Sequence, residues 1–132
     1  MTIVTNSLRS TDGVWTQAAY LRHRRAVLRS GIDIREYKGS DHLHAKSAVI
    51  DGRIALVGSY NVDPRSENLN TEVMCVAVGE RAARELLASI DREMENAWKI
   101  ESGRRIDSGV SRAARFRVWA AHLFVPLIQG QL

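Results

Sequence analysis

The chain has one cysteine, Cys75, and no second to pair with it, which excludes an internal disulfide. Cys75 lies in the apolar run Val73-Met74-Cys75-Val76-Ala77-Val78, where a buried structural thiol is expected. No stretch reaches the roughly 18 apolar residues of a membrane-spanning helix. The opening MTIVTNSLRS has no basic segment followed by an apolar one, so no signal peptide is expected. The expected location is cytoplasmic, or peripheral at the inner face of a membrane. Low-complexity tracts and internal repeats are also lacking. What remains is an ordinary globular composition, and 132 residues are one domain's worth of chain.

Basic and acidic residues nearly cancel over most of the length. Residues 1–100 hold 14 Lys and Arg against 13 Asp and Glu. Residues 101–132 hold five arginines against Glu101 and Asp107, so most of the net +4 belongs to the tail. A balanced body argues against a general affinity for polyanions and makes nucleic acid the less favoured partner. A basic tail suits a local anionic surface.

Hydrophobic spacing and turn residues predict alternating strands and helices. A strand is predicted over Thr2–Leu8 and a basic helix over Thr16–Ser30, with the helix arginines on a solvated face. Gly31 suits a helix C-cap, and a strand over Ile32–Tyr37 completes a right-handed βαβ unit. Strands over Ala45–Ile50 and Arg53–Tyr60 flank Asp51-Gly52, a two-residue hairpin signal. Polar Val62–Leu69 reads as a loop, Thr71–Val78 as a strand, and Glu80–Lys99 as a helix with Trp98 in its core stripe. The fold class expected is α/β, a layered domain with a mixed β-sheet flanked by helices.

Residues 44–61, HAKSAVIDGRIALVGSYN, hold the chemistry: His44, Lys46 and Asp51 as H-x-K-x4-D, then Gly58, Ser59 and Asn61 as G-S-x-N. A two-residue turn at Asp51-Gly52 would set Ile50 against Arg53 and His44 against Ser59. Opposed residues share a sheet face, so His44, Lys46, Ser59 and Asn61 should converge while Asp51 points elsewhere. Such a cluster can hold a phosphate: Lys46 brings charge, and Ser59 and Asn61 bring neutral donors. An imidazole there can attack phosphorus or move a proton. A carboxylate is the usual device for fixing its tautomer, and Glu72 is the candidate. His42-x-His44 lacks the further ligands that a metal site needs, so no metal or cofactor is expected.

These residues resemble the phospholipase D superfamily, whose signature H-x-K-x4-D-x6-G-S-x-N is intact from His44 to Asn61. The resemblance implies catalytic roles for His44, Lys46, Asn61 and Glu72, and phosphate contacts from Lys46, Ser59 and Asn61. It implies mainly structural roles for Asp51 and Gly58. Thr5-Asn6-Ser7-Leu8, Thr11-Asp12, Gly31, Glu36-Tyr37 and the loop Asn61–Ser66 look like the C-terminal catalytic half of bacterial cardiolipin-synthase-like enzymes. The similarity covers roughly residues 1–100 and leaves 101–132 as a basic linker and amphipathic segment. It implies a metal-independent phosphodiesterase or phosphatidyltransferase acting through a phosphohistidine on an anionic phospholipid or other phosphodiester.

Family members use two such motifs and this chain has one. Either two copies pair as a homodimer, as single-motif nucleases of the family do, or a separate N-terminal half completes the site. Only 43 residues precede His44, fewer than a full half-domain has, so a β-α segment before Met1 is expected to be missing. A dimeric metal-independent nuclease and an inactive truncated remnant are the alternatives. In the tail, Arg112, Arg115 and Arg117 stand beside Phe116, Trp119, Leu123 and Phe124 in a segment expected to be helical until Pro126. That segment suits peripheral membrane contact, docking on its own domain, or contact with a partner half.

Overall fold

The computed structural model describes residues 1–11, 13–101 and 110–128. In chain order the elements are β1 (Thr2–Asn6), α1 (Val14–Arg29), β2 (Asp33–Tyr37), β3 (Ser47–Ile50), β4 (Ile54–Gly58), α2 (Pro64–Asn68), β5 (Met74–Val78), α3 (Glu80–Glu95), β6 (Ala97–Lys99) and α4 (Arg112–Ile128). They fall into two compact units, Met1–Leu43 with the described residues from Asn96 onward, and His44–Glu95. The class is α/β with helices on sheets, but the strands form two three-stranded sheets rather than one, and only the first is mixed. The predicted linker at Glu101–Ser111 falls largely outside the described residues, as do Asp12, Arg104 and Arg105.

In the first unit β1 and β2 run parallel, with Thr2 opposite Asp33 and Asn6 opposite Tyr37. A parallel pair needs a crossover, and α1 supplies it. The helix closes with the Ser30 amide on the Ala26 and Val27 carbonyls, and the chain reverses at Gly31 with φ 84°. A side chain would strain that left-handed conformation, which is the reason for glycine there. Apolar residues of α1 face two ways. Ala18 is buried with Val118, Ala121 and Val125 of α4, and Tyr20, Val27 and Leu28 pack on Ile34 and Ile100.

Between α1 and β2 lies a buried ion pair. Glu36 is 2% exposed, and its carboxylate accepts from Arg24 Nη1 at 2.7 Å and from the Tyr20 hydroxyl at 2.8 Å. Burial first, and then the adjacent carboxylate, push the Tyr20 phenol far above its ordinary titration range. Arg24 therefore leaves the solvated face predicted for the helix arginines, while Arg22, Arg25 and Arg29 stay on it. The Asn6 side chain pins Leu43 at both backbone groups, accepting from its amide at 2.9 Å and donating to its carbonyl at 2.8 Å.

The predicted helix over Glu80–Lys99 stops at Glu95. Ala97–Lys99 instead form β6, antiparallel to β2, with Glu36 opposite Trp98. Backbone pairing with β2 wins over three more residues of helix, and Trp98 joins the Ile34–Ile100 cluster from a strand.

The second unit is the antiparallel sheet β3-β4-β5 with α3 against it, Ala83 being fully buried. β5 pairs only with β4 among the described residues. Cys75 on this edge strand is exposed, not buried as its apolar neighbours suggested. Met74, Val76 and Val78 are exposed with it, because no described element of the unit covers that edge on both faces.

Val62–Leu69 is not all loop, since Pro64–Asn68 form the short helix α2. Asp63 caps it by accepting the Ser66 amide at 2.8 Å, and Pro64 takes the first helical position, where a missing N–H costs nothing.

Candidate active site

The β3–β4 turn differs by one residue from its predicted form. Asp51 and Gly52 both have positive φ, 51° and 64°, as a type I′ turn demands, and the Arg53 amide returns to the Ile50 carbonyl at 3.0 Å. Yet Ile50 pairs with Ile54 and not with Arg53. The Arg53 carbonyl is taken by the Gly79 amide at 2.7 Å, and Arg53 stands as a third loop residue closed by the Ile50–Ile54 pair. Every cross-strand partner moves by one. Lys46 then meets Gly58, whose amide donates to the Lys46 carbonyl at 3.0 Å. His44 is not set directly against Ser59, so face parity is not what gathers the motif.

The strand ends gather it instead. His44 and Lys46 precede β3, Ser59 and Asn61 follow β4, and Asn70 and Glu72 precede β5. With Gly58 these residues line one open cleft of about 350 Å³. Asp51 does not line it and sits in the exposed turn at the far end of the hairpin. The absence of a side chain at Gly58 has a direct cause. A Cβ there would run into the Val73 carbonyl and the Met74 sulfur of the neighbouring strand.

Ser59 ties β4 to β5. Its amide donates to the Val73 carbonyl at 2.9 Å, its hydroxyl accepts from the Val73 amide at 3.0 Å, and the same hydroxyl donates to Glu72. Glu72 also accepts from the Ser66 hydroxyl at 2.7 Å and from Asn70 Nδ2 at 3.1 Å. These donors, Ser59 first, then Ser66 and Asn70, hold the Glu72 carboxyl below its usual range. Lys46 Nζ donates to the His44 carbonyl at 2.9 Å, so the ammonium lies folded over the backbone beside the imidazole-bearing residue.

Two contributors were not picked out from the sequence. Ser66 is 4% exposed, and its hydroxyl accepts from the Asn61 amide at 3.2 Å while donating to Glu72. Asn70 lines the cleft and reaches Glu72. The cap signal Asp63-Pro64 could have located Ser66, because a capped turn fixes the amide of its third residue. Arg65 is exposed and contacts Asn70 Oδ1 at 3.4 Å, and His42 places Nδ1 3.2 Å from the Ser10 carbonyl. Among the described residues no three His, Cys, Asp or Glu side chains are grouped to hold a metal.

The cleft thus offers an imidazole, an ammonium, two amides and a hydroxyl, with an ionised carboxylate behind the hydroxyl. That set can neutralise and orient a phosphodiester while a nitrogen base attacks or transfers a proton.

Comparison with known proteins gives the chain a family. The profile of the family "Cardiolipin synthase, PLD-like domain" matches residues 1–98. Cardiolipin synthase C of Escherichia coli K12 is 33% identical over 120 residues, covering 77% of this chain and 25% of the relative. An uncharacterized protein of Helicobacter pylori is 31% identical over 113 residues, covering 76% of this chain and 22% of its own length. The chain thus spans about a quarter of the curated relatives it matches. Among solved structures, phosphatidylserine synthase of Haemophilus influenzae superposes with a TM-score of 0.66 at 16% identity, over 99% of this chain and 35% of that one. Nuc of Salmonella typhimurium, a phospholipase D family member, gives 0.51 at 17% identity, over 77% of this chain and 80% of its own.

Proposed function

The chain belongs to the phospholipase D superfamily, and from that premise we propose that residues 1–100 are a catalytic half-domain for phosphodiester chemistry on phospholipid. The observation that carries this reading is the convergence of His44, Lys46, Ser59, Asn61 and Glu72 on one cleft. Lys46 and Asn61 hold the phosphoryl oxygens, with the Ser59 hydroxyl as a third donor. Glu72, lining the same cleft, orients the His44 imidazole. Asp51 and Gly58 serve the hairpin: one forms the turn, and the other lets β5 approach.

The reaction needs two histidines. We assign them to two copies of His44 brought together by a twofold axis, or to His44 and a separate N-terminal half. One imidazole attacks phosphorus, forming an N–P bond as the P–O bond to the leaving alcohol breaks, and the other gives that alcohol its proton. The second histidine then takes a proton from water or an acceptor alcohol, whose oxygen displaces the first. Beside a separate half, His44 is the acid and base.

A lipid substrate is favoured because relatives at 30–34% identity carry the name cardiolipin synthase. Such a substrate also calls for contact with a membrane surface, at which the protein would sit peripherally. No described helix is long and apolar enough to cross a membrane. Release or transfer of headgroup from anionic phospholipid, lost in His44→Ala, is the expected result. Cleavage of DNA in EDTA without lipid turnover would replace this reading by a nuclease. A strictly monomeric chain that turns over alone would contradict the paired site.

A further inference from the structure

Helix α4 carries two apolar stripes. Val118, Ala121 and Val125 form one, buried with Ala18 and flanked by Leu8, Val14 and Leu21. The other has no cover among the described residues of its unit. Phe116 is 64% exposed, Trp119 56%, Leu123 60% and Leu127 81%. At spacings of three and four these positions fall along one line of the helix, and exposed Phe124 widens it. The Phe116 and Trp119 ring centroids are 5.7 Å apart, so the two aromatics form one continuous patch. An exposed apolar surface with this many large side chains is a contact surface.

Its charge says what it contacts. Arg112, Arg115 and Arg117 are exposed, and no Asp or Glu occurs from 112 to 128. At about 100° per residue Arg112 begins the stripe, while Arg115 and Arg117 lie on either side of it. A second copy of α4 would bring no carboxylate to meet these arginines. An anionic lipid surface presents phosphates for Arg112 and Arg117, with an apolar layer beneath for the rings. From Phe116 to Leu127 the stripe runs about 17 Å, at ~1.5 Å per residue. That is enough to lie along a bilayer surface and too little to span its ~30 Å hydrocarbon core.

We propose that α4 docks flat on an anionic phospholipid surface, its Phe116–Trp119–Leu123–Leu127 stripe in the interfacial layer and Arg112 and Arg117 on lipid phosphates. Burial of the opposite stripe on α1 is retained in this pose, so docking requires no unfolding of the unit. The proposal deepens the lipid reading of function, yet its physics is independent of turnover.

The test is co-flotation of the full chain with phosphatidylcholine vesicles, with and without phosphatidylglycerol. The wild type is expected to bind the anionic vesicles and to bind neutral ones far less. Substituting Gln at Arg112 and Arg117 together is expected to weaken partition on the order of 30-fold, with the salt dependence reduced. Trp119→Ser, with circular dichroism to show that the fold persists, is expected to weaken binding to both vesicle types. His44→Ala is expected to bind vesicles like the wild type, so a failed catalytic assignment and a failed docking assignment give different patterns. Equal binding by wild type and the arginine variant would overturn the proposal. So would absence of vesicle binding, or a self-association that Trp119→Ser abolishes.

Discussion

The Ser66 hydroxyl donates to the Glu72 carboxylate at 2.7 Å from a residue that is only 4% exposed. The same oxygen accepts the Asn61 amide, so one buried hydroxyl links a proposed phosphate ligand to the proposed partner of His44. Ser66 is held in turn by the Asp63 cap of α2, and the chain of support runs from that cap into the cleft.

Ser66→Ala removes one of the three side-chain donors on Glu72. The carboxyl is then expected to titrate nearer its ordinary value, and the acid limb of any pH–rate profile should move to higher pH. Ser66→Thr keeps the hydroxyl and should restore part of the shift. An unmoved acid limb in Ser66→Ala would show that the contact does not tune Glu72.

Glu72 also makes stability depend on pH. Its folded pKa lies below the reference value of 4.5, so its contribution is present above that value and lost as pH falls through the folded one. Glu72→Gln should therefore flatten the loss of stability as pH falls below 4.5, measured by urea melts at each pH. A parallel fall in wild type and variant would count against a depressed Glu72.

Asp63→Ala deletes the α2 cap and is expected to cost about 1 kcal/mol. Because the cap positions Ser66, activity should fall by more than the stability change alone explains. A loss of stability with activity untouched would separate α2 from the site.

The buried pair of the first unit has a different signature. Arg24→Met leaves Glu36 without its cation at 2% exposure and is expected to cost about 3–5 kcal/mol. Pairing it with Glu36→Leu should recover most of that loss, because the uncompensated buried charge is gone. Denaturant melts of the single and double variants decide this.

What could be read from the sequence follows the reach of each signal. The βαβ unit, the Gly31 reversal and the Asp51-Gly52 turn depend on neighbouring residues, and all three are present. Beyond that turn the Arg53 carbonyl bonds to Gly79, just after β5, and not across to β3, which no local pattern announces. The one-residue shift broke the face argument, and the motif still converged because the ends of three strands meet there. β6 was hidden for a similar reason. Ala97-Trp98-Lys99 continues the helical spacing of α3, and only pairing with β2 makes it a strand. Cys75 is exposed despite its apolar neighbours, because such neighbours report burial only where another element covers them.

The central claim is that His44 handles phosphorus in this cleft. The chain, with its partner half if one is needed, would be incubated with a phosphodiester labelled in the retained phosphoryl group, quenched in alkali and mapped for an acid-labile adduct. With two copies of His44 in the site, the wild type is expected to carry that adduct on His44. His44→Ala should lack it and turn over at least ~10²–10⁴-fold more slowly. With a separate half, the adduct should form on that half, and His44→Ala should show the same loss of turnover. Adduct and turnover equal in both proteins would contradict the account.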